Sequence, residues 1–377
     1  MNSPADPRAI ATLTDRAWVA DCQRMYGVAR ENYEALLSAV PGHIFALSRL
    51  LTIAGYEGRL GDADVLHKML VEAVAKADLA AVRWPHLALV AFQNVIRPLP
   101  QPLYAAVTRA LDVHMAALAT PKLATPKPAR PAGQRLKLGY LSGLLRNHPV
   151  GHVTAALFAA HDRARFDVHV FTRPAPGAPD TYAETIRKGA EHFVPLSGTP
   201  RQMADTIAAH DLDMLIYIDG YTEVDLMQVV AARPAPIQVF WLGHPGNCDI
   251  SAIDYVLADA TVIPPGEEYL YTAKVMRLPG AYHCATPQRI GDAVTRAWAG
   301  LPGHGFIFCA FNNPEKIDHG VFTVWMNILK GVEGSVLWLS QGSSPSVADN
   351  LRRFAAAQGV DGARLIFAAR VPEKTQL

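Results

Sequence analysis

The stretch LLRNHPVGH, residues 144–152, places Asn147, His148, Pro149 and His152 on a turn between an apolar run and a helical one. An imidazole there can give or take a proton near neutral pH, or donate to a phosphate oxygen. The alternative is a histidine that only caps the helix after it. Pro149 disfavours a helical backbone at His148 and pushes it towards an extended conformation. In GHPGNCD, Gly243 and Gly246 flank His244 and Pro245, and the missing Cβ atoms let backbone approach a ligand closely; an ordinary tight turn is the alternative. Lys316, in NNPEKID, stands at an expected helix start, whose free N–H groups already favour an anion, so its ammonium suits a phosphate group. Asn312 and Asn313 can donate to a nucleotide or cap the same helix. Asp219 ends a strand in DGYTEVD. Asp211 and Asp213 are an acidic pair of the kind that binds metals, but they precede their strand and fall at the opposite edge of a sheet. The first strand is not followed by G-x-G-x-x-G and the chain has no Walker loop, which argues against dinucleotide redox and NTPase chemistry.

The elements that must position these residues are legible from about residue 135. Short apolar runs (LKLGYLS, FDVHVFT, HFVPL, DMLIYID, IQVFWLG, IDYVLAD) alternate with helical patterns (HVTAALFAAHDRA, YAETIRKGA, TPRQMADTIAAHD, EVDLMQVVAAR). Alternation of this kind predicts a doubly wound parallel sheet, and strands apolar throughout predict that both faces are covered. In such sheets ligands sit beyond the carboxyl ends of the strands. SGLLRNHPVGH, DGYTEVD and GHPGNCD each follow a strand, so all three should share one edge. A second series (GFIFCAF, DHGVFTVWMNILKGV, SVLWLS, SVADNLRRFAAAQGV, RLIFAA) predicts three more strands with helices, and its loop NNPEKID is expected to face the other three across a cleft. Three strands make half of a doubly wound domain with an edge left to cover, so the expectation is a chain shortened at its C-terminus.

Residues 1–120 read as all-helical. Ala29, Tyr33 and Pro41 fit the close of one 34-residue repeat, and Leu47, Leu50, Gly58 and Ala63 fit the next, a degenerate tetratricopeptide pattern with a plain helical bundle as the alternative. The proline-rich basic segment 119–134 reads as a spacer whose charges are solvated. The division expected is therefore helical 1–120, linker 121–134, a Rossmann-like domain 135–300 and the first half of another over 301–377.

Half of the 377 residues are hydrophobic and 18% are charged, which excludes global disorder. A net charge of +1 gives no field that favours nucleic acid as a partner. The chain has no apolar run of transmembrane length and no secretory signal, so no membrane partner is expected and the expected location is cytoplasmic. Cys22, Cys248, Cys284 and Cys309 lack metal-type spacing and read as reduced thiols.

Taken together, RNHPVGH, GYT, RPAPIQVFWLGHPG, IDYVLAD, KVMRLPGAY and FNNPEKID followed by ILKGVEGSVLWL resemble the catalytic region of the O-linked N-acetylglucosamine transferases, and more narrowly the bacterial SPINDLY-like proteins, over about 135–377. The resemblance implies a GT-B fold, two Rossmann-like domains with the second incomplete here, after a tetratricopeptide-like domain. It implies transfer of a sugar, N-acetylglucosamine as the expected one, from a nucleotide sugar to protein Ser or Thr hydroxyls, with inversion and with neither metal nor other cofactor. It makes His148 the catalytic candidate and Pro149, Leu242, Gly243, Pro245, Asn313 and Lys316 the donor-binding ones. Partners would be the nucleotide sugar, UDP-N-acetylglucosamine above all, and acceptor proteins or peptides. Two positions depart from the family: Leu144 stands where animal members carry an acid four residues before the histidine, and Glu315 replaces the tyrosine before the lysine. The family's H-T-T stretch and its following Asp, which bind phosphate and ribose, are not in the chain. Open alternatives are a non-catalytic scaffold, a GDP-fucose enzyme and a peptidyl N-glucosyltransferase.

Overall fold

The computed structural model describes residues 6–118, 122–124, 127, 131, 133–174, 177, 180–285 and 294–369. It sorts into two compact units: Met1–Asp78 with Ile96–Leu103 and Gln288–Leu377, and Leu79–Val95 with Tyr104–Pro287.

The first unit begins with four helices, α1 (Pro7–Cys22), α2 (Tyr26–Ala39), α3 (Ile44–Tyr56) and α4 (Leu60–Lys76), each packed on the next or the one before. The residues carrying the repeat pattern supply their core: Ala29, Tyr33, Leu47, Leu50 and Ala63 are all buried. Gly58 closes α3 with a positive φ of 68°, which a Cβ would strain. The unit continues in a three-stranded parallel sheet of β8 (Ile307–Ala310), β9 (Val336–Ser340) and β10 (Leu365–Ala368), in the order β10-β9-β8. Helices α11 (His319–Gly331) and α12 (Val347–Ala357) connect the strands. Asp318 caps α11, its carboxylate accepting from Val321 N–H at 2.7 Å. Leu60 from α4 lies in the same apolar cluster as Phe322, Met326, Leu339 and Leu351, so the helical repeats and this sheet share one core.

The second unit holds α5 (Trp84–Gln93), most of α6 (Gln101–Leu118) and a seven-stranded, wholly parallel sheet. Its strands are β1 (Leu136–Leu141), β2 (Phe166–Thr172), β3 (His192–Pro195), β4 (Met214–Tyr217), β5 (Ile237–Phe240), β6 (Tyr255–Ala258) and β7 (Lys274–Arg277), ordered β3-β2-β1-β4-β5-β6-β7. That is the doubly wound order, and its winding reverses between β1 and β4. Helices α7 (Pro149–Thr154), α8 (Thr181–Gly189), α9 (Pro200–Ala208) and α10 (Val224–Ala231) make the crossovers. Sequence signals start them: Asp180 accepts from Tyr182 and Ala183 N–H at 2.9 Å, and Thr199 with Gln202 forms a capping box.

Three features differ from the sequence reading. The helix expected over HVTAALFAAHDRA stops at Thr154 and gives way to a 3₁₀ turn, Phe158–Ala160. Thr154 Oγ1 donates back to Val150 C=O at 2.8 Å, a bond that competes with helix continuation. Strand β7 was hidden because its residues are only half apolar and half exposed, as suits a sheet edge. Lys127 of the spacer is not simply solvated; its ammonium pairs with Asp211 and donates to Leu212 C=O at 3.0 Å.

Candidate functional site

The loops after β1, β4 and β5 meet at the carboxyl edge of the seven-stranded sheet, astride the reversal of winding. Asp219, fully buried, ties the first two together. It accepts from Gly143 N–H at 2.7 Å and from Ser142 Oγ at 2.5 Å, while Ser142 Oγ accepts from Leu144 N–H at 3.0 Å. Burial pushes the Asp219 carboxyl up to about 7, against the pull of these donors. Gly243 N–H donates to Ile218 C=O at 2.9 Å, and ties the loop after β5 to the same place.

His148 is the N-cap of α7. Its backbone is extended, as Pro149 requires, and its Nδ1 accepts from Val150 N–H at 3.3 Å. Capping and catalysis are therefore compatible: the accepting Nδ1 leaves the proton of a neutral imidazole on Nε2, which can donate. Burial, then Arg146 and His152, lower the pKa of His148, so the neutral ring is the form at physiological pH. The turn holds because a Cβ on Gly151 would lie 1.9 Å from Arg146 C=O.

Leu242 carries a φ of 85° although it is not glycine. Such strain costs on the order of 1–3 kcal/mol and gathers at functional loops. It belongs to the same buried apolar cluster as Leu144, Leu145 and Val150, so the loops holding Leu242 and His148 share one core. Gly243 is required by close approach, since a Cβ there would sit 2.6 Å from Ile218 C=O. Gly243→Ala should therefore cost about 1–3 kcal/mol, read as a lowered midpoint of thermal unfolding together with weakened ligand binding at this edge. Helices α5 and α6 back the Pro245 loop: Tyr104 Oη donates to Asn247 Oδ1 at 2.7 Å, and Phe92 packs on the His244 ring at 5.9 Å. His244 is buried, its pKa pushed down to about 4 by desolvation, and neither ring nitrogen has a hydrogen-bond partner among the described residues.

Leu144, at the family's acidic position, is a core residue 5% exposed, and it offers no proton-transfer group. A carboxylate reaches the same loop from elsewhere, however. Glu223 lies against Gly143, 3.1 Å from where a Cβ would stand, and burial raises its pKa. Chain order did not mark it, because Glu223 precedes α10, far along the chain from this turn.

Asn313 and Lys316 belong to the first unit. Lys316 is exposed at the end of a 3₁₀ turn, Pro314–Lys316; α11 itself begins three residues later, a correction to the helix start expected at the lysine. Asn313 Nδ2 donates to Glu315 Oε1 at 3.0 Å. Glu315 turns inward: burial raises its pKa, and Tyr56 of α3 hydrogen-bonds its carboxylate. Helix α3 meets this turn so closely that a Cβ on Gly55 would lie 3.0 Å from Glu315 Cα.

The model of glycosyl transferase family 41 matches residues 65–292 and 283–376. The chain belongs to this family. The match begins at residue 65, well before the 135 at which the sequence motifs start, so it takes in α5 and α6 behind the Pro245 loop. Among curated relatives, the probable UDP-N-acetylglucosamine–peptide N-acetylglucosaminyltransferase SEC of Arabidopsis thaliana is 31% identical over 294 residues, 73% of this chain and 30% of that protein. The probable UDP-N-acetylglucosamine–peptide N-acetylglucosaminyltransferase SPINDLY of Solanum lycopersicum is 29% identical over 230 residues, 60% of this chain and 24% of that protein. The family 41 chain thus spans under a third of the length of these relatives. A Thermobaculum terrenum O-GlcNAc transferase mutant superposes over all of this chain and 76% of its own with a TM-score of 0.76 at 22% identity, which shows that the GT-B fold, with its preceding helices, is shared.

Proposed function

We propose that this family 41 chain forms the core of a glycosyltransferase that moves N-acetylglucosamine from UDP-N-acetylglucosamine to Ser or Thr hydroxyls of proteins, with inversion and without a catalytic metal or other cofactor. The observation that carries the reading is the convergence of the His148, Asp219 and Gly243 loops at the reversal of winding, in a family whose named relatives are peptide N-acetylglucosaminyltransferases. In this reading segments 135–300 and 301–377 carry the two halves of the transferase, 1–120 the helical repeats and 121–134 the spacer. The enzyme works in the cytoplasm on protein or peptide acceptors, with no nucleic acid and no membrane as partner; among the described residues no helix is long and apolar enough to cross one.

The chemistry follows from the side chains. An acceptor oxygen attacks the anomeric carbon from the face opposite the diphosphate; the new C–O bond forms as the bond to the leaving phosphate oxygen breaks. Charge then accumulates on the diphosphate, and the Lys316 ammonium stabilises it. Glu315, the lysine's neighbour, is drawn to Tyr56 by a hydrogen bond. Asn313 supports the nucleotide, and Pro149, Leu242, Gly243 and Pro245 line the donor pocket. His148 donates its Nε2 proton to a donor oxygen. Glu223 is the carboxylate placed to take the acceptor's proton, a role that Leu144 cannot fill.

The buried Leu144 favours a second reading, in which the domain binds partners without chemistry; a GDP-fucose donor is a third. Isothermal titration with UDP, UDP-N-acetylglucosamine and GDP-fucose separates them. Binding of UDP and its sugar, together with transfer to a Ser/Thr peptide, is expected. Selective binding of GDP-fucose would change the donor, and a folded full-length protein that binds none of them would leave the scaffold.

A further inference from the structure

At the opposite, amino edge of the seven-stranded sheet lies a cluster that the transferase reading does not use. Asp167 and His169 come from the start of β2, His192 opens β3, and His210 precedes β4. The sheet register sets His169 directly beside His192. Asp167 Oδ1 lies 3.4 Å from His169 Nε2 and 3.1 Å from His192 Nε2, and one ligand atom from each of the three residues falls within 4.8 Å of the others. Asp167 Oδ1 and His169 Nε2 are both buried, and beyond these contacts within the cluster neither has a hydrogen-bond partner among the described residues.

We propose that Asp167, His169 and His192 form a binding site for a zinc-type divalent cation that clamps β2 to β3, with a fourth position open to water. The spacing fits: zinc–nitrogen and zinc–oxygen bonds of about 2.0–2.2 Å place tetrahedral ligands about 3.3–3.5 Å apart. The donor set of two imidazoles and a carboxylate is one that zinc takes. A cation would replace the contact between these two buried atoms with a bond to each of them. The two imidazole rings stack 4.2 Å apart at an interplanar angle of 16°, and ligation of one ion by both Nε2 atoms requires the more exposed His192 ring to turn.

His210 completes the arrangement as a positioning residue. Its Nδ1 lies 3.1 Å from His169 Nδ1. When His169 donates through Nδ1 to His210, the lone pair on His169 Nε2 is free for the cation, the usual outer partner of a ligating histidine. Arg135 stands 3.8 Å from Asp167 Oδ1, but its guanidinium is engaged by Glu191 at 2.5 and 2.6 Å. The site is remote from the His148 loop, on the other edge of the sheet, so its role is to hold the sheet together and it is compatible with metal-free transfer.

The test is competition of the metal-stripped chain with a chromogenic chelator for Zn²⁺. One equivalent should bind, His192→Ala should weaken it by at least about 100-fold, and His210→Phe by about 10–100-fold. In the presence of a chelator, the exposed His192→Ala variant should melt like the parent, which separates lost ligation from lost folding. Added Zn²⁺ should raise the melting temperature of the parent and leave that of His192→Ala unchanged. Absence of one-equivalent binding in the folded parent would overturn the site. So would binding that survives His192→Ala, or that is lost on alkylating the thiols, since the ion would then lie elsewhere.

Discussion

In the transfer reaction proposed above, replacing Lys316 by alanine should lower kcat/KM for the nucleotide-sugar donor by about 30- to 1,000-fold, equivalent to roughly 2–4 kcal/mol of lost transition-state stabilisation. The effect should fall mainly on kcat, because the ammonium meets its greatest partner charge only as the diphosphate leaves. Folding should be unaffected, since the side chain is exposed and the turn is held by its neighbours: Lys316 N–H donates to Asn313 C=O at 2.9 Å, and Glu315 is fixed to α3. Lys316→Arg keeps the charge and should restore part of the rate. Steady-state kinetics of both variants, with thermal melts alongside, make the comparison. An unchanged kcat/KM in Lys316→Ala would remove the lysine from the phosphate site. Glu315→Tyr, which installs the family's residue, is a useful companion: it breaks the inward carboxylate contact with Tyr56 and should cost stability in the unit containing α3.

Much of the candidate site is legible in the sequence because its parts are local. The strand–turn–helix grammar around residues 135–260 comes from apolar runs of strand length, and the loops that follow them must fall on one edge once the strands are parallel. The edge on which His148, Gly243 and Pro245 fall follows from that pattern; Leu242, and the donor-binding roles, come only from the family resemblance. The contacts that give those residues their properties are not local. In the sequence Glu315 is only a departure from the family's tyrosine; its partner, Tyr56, lies on α3, far earlier in the chain. Glu223 reaches the Gly143 loop only because β4 lies beside β1. The cluster of Asp167, His169, His192 and His210 has no motif spacing at all, because strand register rather than sequence interval assembles it. Leu60, on α4 of the helical segment, shares a core with the three-stranded sheet. Edge strand β7 escaped notice for the opposite reason: too little of it is buried to leave an apolar signature.

Asp219 gives the second large effect, and its sign distinguishes it from ordinary carboxylates. Its folded pKa of about 7 lies above the usual carboxylate value of 3.8, chiefly because burial disfavours the charged form. Protonated, the group contributes its full stability below pH ~4. As pH rises from there through 7, the unfolded chain ionises freely while the folded one resists, and stability is lost. With one pKa unit worth about 1.4 kcal/mol, the loss approaches about 4 kcal/mol by pH 7.5. Buried histidines work in the other direction: His169 and His244, both lowered to about 4, withdraw stability as pH falls below their unfolded value near 6.5. The two trends overlap, so the wild-type curve alone does not isolate Asp219. The difference between wild type and Asp219→Asn does, because the histidines cancel. Asparagine can still accept from Gly143 N–H and donate to Ser142 Oγ, so the link between the β1 and β4 loops is kept. Urea titrations of both proteins from pH 4 to 8 should show Asp219→Asn gaining on wild type by about 4 kcal/mol across that span, with the gain concentrated between pH 4 and 7. Parallel curves would mean that Asp219 is ionised throughout, and that the donors from Ser142 and Gly143 outweigh its burial. The rising cost of the charge near neutral pH also bears on the candidate site: the carboxyl that joins the His148 loop to the Gly220 loop changes its protonation near pH 7, so the stiffness of that edge should follow the same titration.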